Sequence, residues 1–306
     1  MDILKTDLSG HALAEFLGDS IIETIGNPEI TANSLSPAFP GKRGSLSFIG
    51  AKASRAIVSE GRRTYSSMVL LSPGGWVKVL AHRDRYLLVV ENPRLEFSKA
   101  TSHFFMPTNP PQIHPTAIID PSSRVGASVS IGPFVVVSKG VVISDFAQIG
   151  SGTYLGPDVE VGPHSTIGAN CSIGQNGFGY ERDTEGFPQQ MPHFGTVRIG
   201  KHVDIGANST IDRGTLGDTE INDFVKIDNL VHVAHNSVVE ESAFVTAGVV
   251  LCGGVHIGKQ AHIAPNSIIR EQRRVGAGAM VGMGAVVTRD VPPGVTVFGN
   301  PAALLG

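Results

Sequence analysis

Large rings are scarce in this chain: one Trp, four Tyr and 14 Phe in 306 residues. That scarcity argues against a core centred on aromatics and suits a turn-rich solenoid. Net charge is small, −3 from 24 Lys and Arg against 27 Asp and Glu, which argues against a nucleic-acid binder. Cysteine is nearly absent. Cys171 and Cys252 lie too far apart in the repeat order for a disulfide or a zinc site, and both occupy positions where a small residue is wanted. They read as reduced packing residues. No stretch is long enough to span a bilayer, and residues 1–7 lack an apolar signal core. The expected address is the cytoplasm. A length of 306 residues allows two domains.

What is abundant is glycine, 37 residues, and a sixfold period. From Ile113 every sixth residue is Ile, Val or Leu through Ile173, and the register resumes at Ile199, Ile205 and Ile211. It slips by four residues to Ile221 and then runs to Val287. Such hexads predict a β-solenoid, a left-handed parallel β-helix over 113–298. Three hexads close one triangular coil. Aliphatics fill the corners from inside, and Gly, Asn or Asp takes the turn where φ is positive. Coils about 4.8 Å apart stabilise one another by stacking, since one coil alone buries little.

The period is absent from 1–105. An amphipathic helix is expected near Leu8–Leu17, capped by Asp7 or Ser9. Strands are expected at Ser45–Ile49, Met68–Leu71 and Tyr86–Val90. These predict a small α/β domain, joined through a Pro-rich linker, 106–112.

Two interruptions of the prism point to chemistry. The first, 175–197, collects Phe178, Tyr180, Phe187 and Phe194 in an aromatic-poor chain. Exposed rings there need a partner, either a neighbouring subunit or a ligand. The second is Asp212-Arg213-Gly214-Thr215-Leu216-Gly217-Asp218-Thr219. Beyond it lie Asp228, Asn229, His232, His235 and Asn236. Hexad counting makes His235 the third residue of its hexad, at an outward turn, with Arg213 one coil earlier and Gly253 one coil later. A cation, an imidazole and an open backbone N–H on one edge suit attack on a thioester. His235 is the expected general base, Gly253 N–H the oxyanion donor, and Asp228 the orienting partner of His235. No metal site is expected from His232 and His235, whose spacing on a turn does not converge.

Gln175-Asn176-Gly177-Phe178-Gly179-Tyr180, Thr210-Ile211-Asp212-Arg213-Gly214 and Ile227-Asp228-Asn229…Ala234-His235-Asn236 closely resemble the UDP-3-O-acylglucosamine N-acyltransferases of lipid A biosynthesis. Ser45-Leu46-Ser47-Phe48 and Val90-Glu91-Asn92-Pro93 resemble that family's N-terminal nucleotide-binding domain. The resemblance implies a homotrimer with active sites between prisms, and a 3-hydroxyacyl donor on acyl carrier protein. It also implies an amine acceptor on a UDP-sugar and no bound cofactor beyond the phosphopantetheine-linked acyl donor as cosubstrate. The family's catalytic histidine falls on His235 and its oxyanion donor on Gly253. Substrate contacts are then expected from Phe48, Asn92, Asn176, Phe178, Tyr180, Asp212, Arg213, Asn229, His232 and Asn236.

Three stretches depart from the family pattern. Phe48 is followed by Ile49-Gly50-Ala51-Lys52-Ala53, without the asparagine and tyrosine that help hold uracil. Glu271-Gln272-Arg273-Arg274 stands where a second site histidine is common. Gly299-Asn300-Pro301-Ala302 resembles the ending of acyl-CoA-dependent acetyltransferases. Arg270, Arg273, Arg274 and Arg289 gather near that end. The first three are expected to meet the phosphates of the donor or acidic residues of its carrier. Arg273 occupies a position where a small residue belongs, so it must swing outward or distort its hexad. Two alternatives stay open: an acyl-CoA-dependent transferase acting on a different nucleotide aminosugar, and a non-catalytic hexapeptide scaffold.

Overall fold

The computed structural model describes residues 7–50, 64–74, 80, 84–106 and 110–304. Three expectations lie outside them: the uracil-stretch residues Ala51, Lys52 and Ala53, linker residues 107–109, and the last two residues of the 299–306 tail. The chain divides into two compact units, Met1–Asn109 and Pro110–Gly306.

In the N-terminal unit, a helix at Gly10–Leu17 starts at Ser9, whose Oγ accepts the Ala12 N–H at 3.1 Å. A five-stranded sheet contains the expected strands Ser45–Ile49, Met68–Leu71 and Tyr86–Val90. It also holds Ile21–Gly26, paired antiparallel with Tyr86–Val90. A second helix, Pro93–Phe104, packs its Ala100 into the same core. The Asn92 side chain caps it by accepting the Leu95 N–H at 3.2 Å.

The second unit is a β-solenoid. Successive two-residue strands form three faces, beginning at Ile118–Ile119, Arg124–Val125 and Ser130–Ile131. Among the described residues these become sheets of nine, eight and ten strands. Partners in the regular coils lie 18 residues apart, as in Val233 with Leu251. The second residue of each strand points inward, so Leu155, Ile173, Ile211, Val233 and Leu251 are fully buried. Each such burial is worth about 1.5–3 kcal/mol.

Buried hydroxyls at the fifth hexad position are matched by neighbouring coils. Thr153 donates to Gly168 O at 2.8 Å, and Ser165 to Gly200 O at 2.8 Å. Neither hydroxyl is left as an open buried donor, which is why such residues can stand in for Ala or Val in the core.

Left-handed turns are not reserved for Gly, Asn and Asp. Phe146, His164, His202 and Phe224 all have φ between 54° and 61°. Their rings stack in sequence along one edge, with centroids 4.8, 4.9 and 5.1 Å apart. Ring stacking offsets the steric cost of that conformation.

The repeat breaks at a single corner. Ile173 and Ile199 belong to the first and second faces, as do Ile211 and Ile221. A third irregularity sits there too: Val287 is followed on the second face by Val291, which bridges to Val275. The last coil is therefore shorter, and Val281 pairs with Val297, 16 rather than 18 residues further on. Every departure from the period falls where the chain turns from the first face to the second.

The faces differ in chemistry. Outward residues of the first are Ile118, Val136, Tyr154, Ser172, Thr210, His232, Val250, Ile268 and Val286. Arg124, Glu160, Arg198, Glu220 and Arg274 point out from the second, and Asp204 and Lys226 from the third.

Candidate active site

The first-to-second corner carries a cleft of about 640 Å³ whose wall includes Phe178, Asp212, His232, His235, Cys252 and Gly253. His235 follows strand His232–Val233, and Gly253 follows Val250–Leu251 one coil on. A Cβ built on Gly253 would stand 2.8 Å from His235 Cε1 and 2.9 Å from Nε2. The imidazole thus lies directly over the Gly253 backbone. Gly253 O accepts from Gln272 N, and Gly254 N donates to His235 O at 2.9 Å. Gly253 N–H meets no acceptor among the described residues. At some other turns a carboxylate or amide of a later rung closes this N–H, as Asp145 does for Ala127 and Asn229 for Ala207, whereas among the described residues Ser151 and Ala247 leave theirs open as Gly253 does. The residue in that place here is Glu271, and its carboxylate is held by Arg270 Nε at 2.9 Å.

The tautomer of His235 follows from its neighbour. Asn236 Oδ1 accepts from Thr215 N at 3.1 Å and from Thr215 Oγ1 at 2.9 Å, while Asn236 Nδ2 donates to Gly217 O. Those partners fix which end of the amide is oxygen. That oxygen lies 3.1 Å from His235 Nδ1, so Nδ1 carries the proton and Nε2 keeps a lone pair. This is the state required of a general base.

Two more imidazoles surround this centre. His232 Nδ1 is 2.7 Å from Thr210 Oγ1, and its Nε2 is 3.8 Å from Asp212 Oδ2. His193, on the returning limb of the excursion, sets its ring edge-on to His235 at 5.3 Å. Burial pushes the Asp212 carboxyl above its ordinary range, opposed by His232, His235 and His193. No group of three or more His, Cys, Asp or Glu among the described residues is arranged to hold a metal.

The two long interruptions are tied to each other. The excursion forms a hairpin, Tyr180–Arg182 with Pro188–Gln190. Asp183 caps its turn and is held below its usual carboxylate range by the Gln189 side chain and the Phe187 N–H. On the way back, Phe194 N donates to Thr215 O at 2.7 Å and Gly195 N to Gly214 O at 3.0 Å. Asp218 accepts from Thr196 N and Arg198 Nε.

Other expected site residues are distributed as follows. Asp228 is on the preceding corner, where its Oδ1 accepts from Asn229 N at 2.7 Å and Asn229 Nδ2 at 2.8 Å. A whole first-face strand separates it from His235, and Asn236 orients the imidazole in its place. Asn229 caps Ala207 N on the same corner. Arg213 is on the same edge as His235, yet its Nε donates to Gly195 O at 2.7 Å, bracing the excursion. Asn176 is exposed beside it in register. Phe178, 86% exposed, and Tyr180 pair at 5.0 Å. Phe48 packs on Phe97 at 4.9 Å within the N-terminal unit, where Asn92 also lies. Arg273 swings outward, 3.6 Å from Asp290, leaving Val275 buried and its hexad intact. Arg274 and Arg289 are exposed, and neither side chain has a polar partner among the described residues. Cys171 is buried as a packing residue, and Cys252 is half-buried on the cleft wall. The sequence assigns Asn236 only a substrate contact and offers no periodic signal that would pick out His193.

A second depression, about 440 Å³, is lined by Asn222, Asp223, Glu240, Glu241 and Lys259. Its Glu240 and Glu241 already pair with His256 and Lys259 at 2.8 Å.

The fold is a hexapeptide-repeat β-solenoid. Residues 140–175 match the family described as bacterial transferase hexapeptide (six repeats). More particularly, over 42% of its length the chain is similar to UDP-3-O-acylglucosamine N-acyltransferases. It is 49% identical over 128 residues to UDP-3-O-acylglucosamine N-acyltransferase 2 of Legionella pneumophila (strain Paris), covering 42% of this chain and 37% of that one. It is 45% identical over 129 residues to the Helicobacter pylori (strain ATCC 700392 / 26695) enzyme, covering 42% and 38%. The match thus spans less than two fifths of the length of these relatives. Among solved structures, it is similar to the UDP-N-acetylglucosamine acyltransferase from Campylobacter jejuni, with 26% identity and TM-score 0.58 over 64% of this chain and 74% of that one. The Francisella novicida UDP-N-acetylglucosamine acyltransferase gives 29% identity and TM-score 0.59, over 64% and 70%.

Proposed function

We propose that the protein transfers an acyl group from a phosphopantetheine thioester to the amine of a UDP-3-O-acylglucosamine-like sugar. The observation that carries this reading is the pairing of a tautomer-fixed His235 with the open N–H of Gly253. The acceptor amine attacks the thioester carbonyl while His235 Nε2 takes its proton. The carbonyl oxygen becomes an oxyanion and accepts the Gly253 N–H. Collapse of the tetrahedral intermediate breaks the C–S bond, and the proton on His235 passes to the leaving thiolate. The products are an amide and a free thiol.

Phe178 and Tyr180 flank the sugar. Arg274, with Arg270 and Arg273 beside it, receives the anionic end of the donor. A homotrimer is favoured by the uncharged first face, His232 apart, because two other copies can cover such a surface without burying unpaired charge. The similarity to UDP-3-O-acylglucosamine N-acyltransferases supports acyl carrier protein as the donor's carrier.

Mass spectrometry of transfer tests the reading. UDP-3-O-acylglucosamine is offered with a 3-hydroxyacyl group on acyl carrier protein, and separately with the same group on coenzyme A. Amide formation from the carrier protein is expected. Transfer from coenzyme A alone would replace the carrier, and no transfer from either would remove the reading for this acceptor.

A further inference from the structure

His193 combines deep burial with an unfinished hydrogen-bond set. Its Nδ1 lies 2.9 Å from Met191 O. A carbonyl only accepts, so Nδ1 carries the proton and Nε2 holds a lone pair. The residue is 7% exposed, and its Nε2 is buried with no partner among the described residues. Leaving a polar atom so placed is unfavourable, and an apolar side chain would avoid it. The lone pair nevertheless sits beside His235. A point built as a Cβ on Gly177 is 3.0 Å from His193 Nε2, 2.8 Å from His235 Cδ2 and 2.9 Å from His235 Cβ. Gly177 therefore leaves the two rings room to meet. The backbone bonds of Phe194 and Gly195 to the Gly214–Thr215 segment hold the limb in place. Substrate does not reach a buried Nε2, so any role must act through His235.

We propose that His193 is a positioning residue whose Nε2 lone pair is kept beside His235 to favour the positive charge His235 acquires on taking the acceptor's proton. This rests on the transfer reaction proposed above. His193 forms no bond to substrate and moves no proton itself. Its proton stays on Nδ1, committed to Met191, so the unprotonated Nε2 is the ring atom left beside Gly177 and His235. No second imidazole is needed on a later coil, where Glu271-Gln272-Arg273-Arg274 stands.

Three full-length variants test this. His193→Asn retains a donor for Met191 O and loses the Nε2 acceptor. His193→Gln places an amide oxygen near the Nε2 position, and His193→Leu removes both. A partial charge near half a unit at about 5 Å, in an effective dielectric of roughly 20, is worth about tenfold in rate. The Asn and Leu variants are expected to lose about that in kcat, with KM for both substrates within about twofold, and Gln to recover most of it. All three within about twofold of wild type, or all three equally slow, would overturn the proposal. Nitrogen-15 spectra of labelled histidine supply a readout independent of turnover. They should show His193 protonated at Nδ1, and His235 ring resonances that move in the Asn variant and return in the Gln variant. An Nε2–H form of His193, or His235 resonances indifferent to residue 193, would also overturn it. Wild-type protein that transfers nothing would remove the reaction proposed above, and the spectra would then decide this inference alone.

Discussion

Gly253→Ala isolates the contact on which the site is built. The new methyl group would stand 2.8 Å from His235 Cε1 and 2.9 Å from Nε2, where ordinary contacts are about 3.5–4.0 Å. The ring must therefore recede by roughly 1 Å, and displacement of that size costs about 10²-fold in rate. The backbone at Gly253 is outside the left-handed region, so alanine introduces no strain there. Replacing glycine at such a position stabilises by about 0.4–1 kcal/mol through the unfolded chain, against the cost of moving the ring. Gly254→Ala is the matched control. Its φ is +67°, and its nearest neighbour is Gln272 Cγ at 3.6 Å. It should lose about 1–2 kcal/mol of stability while keeping turnover within a few-fold. Acyl transfer by mass spectrometry and thermal melting, run on both variants, separate the two effects. Full turnover by Gly253→Ala in a normally folded protein would refute the placement of the imidazole over that backbone.

Three more outcomes are expected. Asn236→Ala removes the oxygen that holds His235 Nδ1 and should lower kcat by roughly 10²-fold, measured at saturating substrates. Asp228→Ala should leave turnover within about twofold, because its carboxylate serves Asn229 on another corner; melting should show a loss of about 1 kcal/mol. Asp212 has a carboxyl lifted by burial, so its contribution to stability is present below the usual carboxylate range and lost as pH rises through the lifted value. Asp212→Asn should therefore raise Tm relative to wild type above that window and not below it, in a pH series of melts.

The solenoid was legible because a sixfold aliphatic period has few physical solutions. Counting in hexads also brought His235 and Gly253 to one edge, since residues 18 apart stack when no insertion intervenes. The same counting held the clue that the irregularities share a corner: Ile173 to Ile199, Ile211 to Ile221 and Val287 to Val291 all join the first face to the second. Side-chain orientation was not legible. Asp228 looked like an orienting carboxylate by proximity in sequence, but a first-face strand carries the chain away before His235, and adjacent Asn236 reaches Nδ1 instead. Arg213 reached the expected edge and was then drawn to Gly195 O, an acceptor supplied by a non-repetitive loop. Phe and His at left-handed turns ran against the preference for Gly, Asn and Asp because stacking across coils is a long-range gain. His193 could not be placed from sequence, as no period governs the excursion that carries it.

The proposed role of His235 as the base in acyl transfer is tested most directly by His235→Ala. Turnover of UDP-3-O-acylglucosamine with 3-hydroxyacyl carrier protein is compared with wild type by mass spectrometry, with melting as the check on folding. A loss of roughly 10²–10⁴-fold with Tm little changed is expected. Turnover within a few-fold of wild type would contradict it.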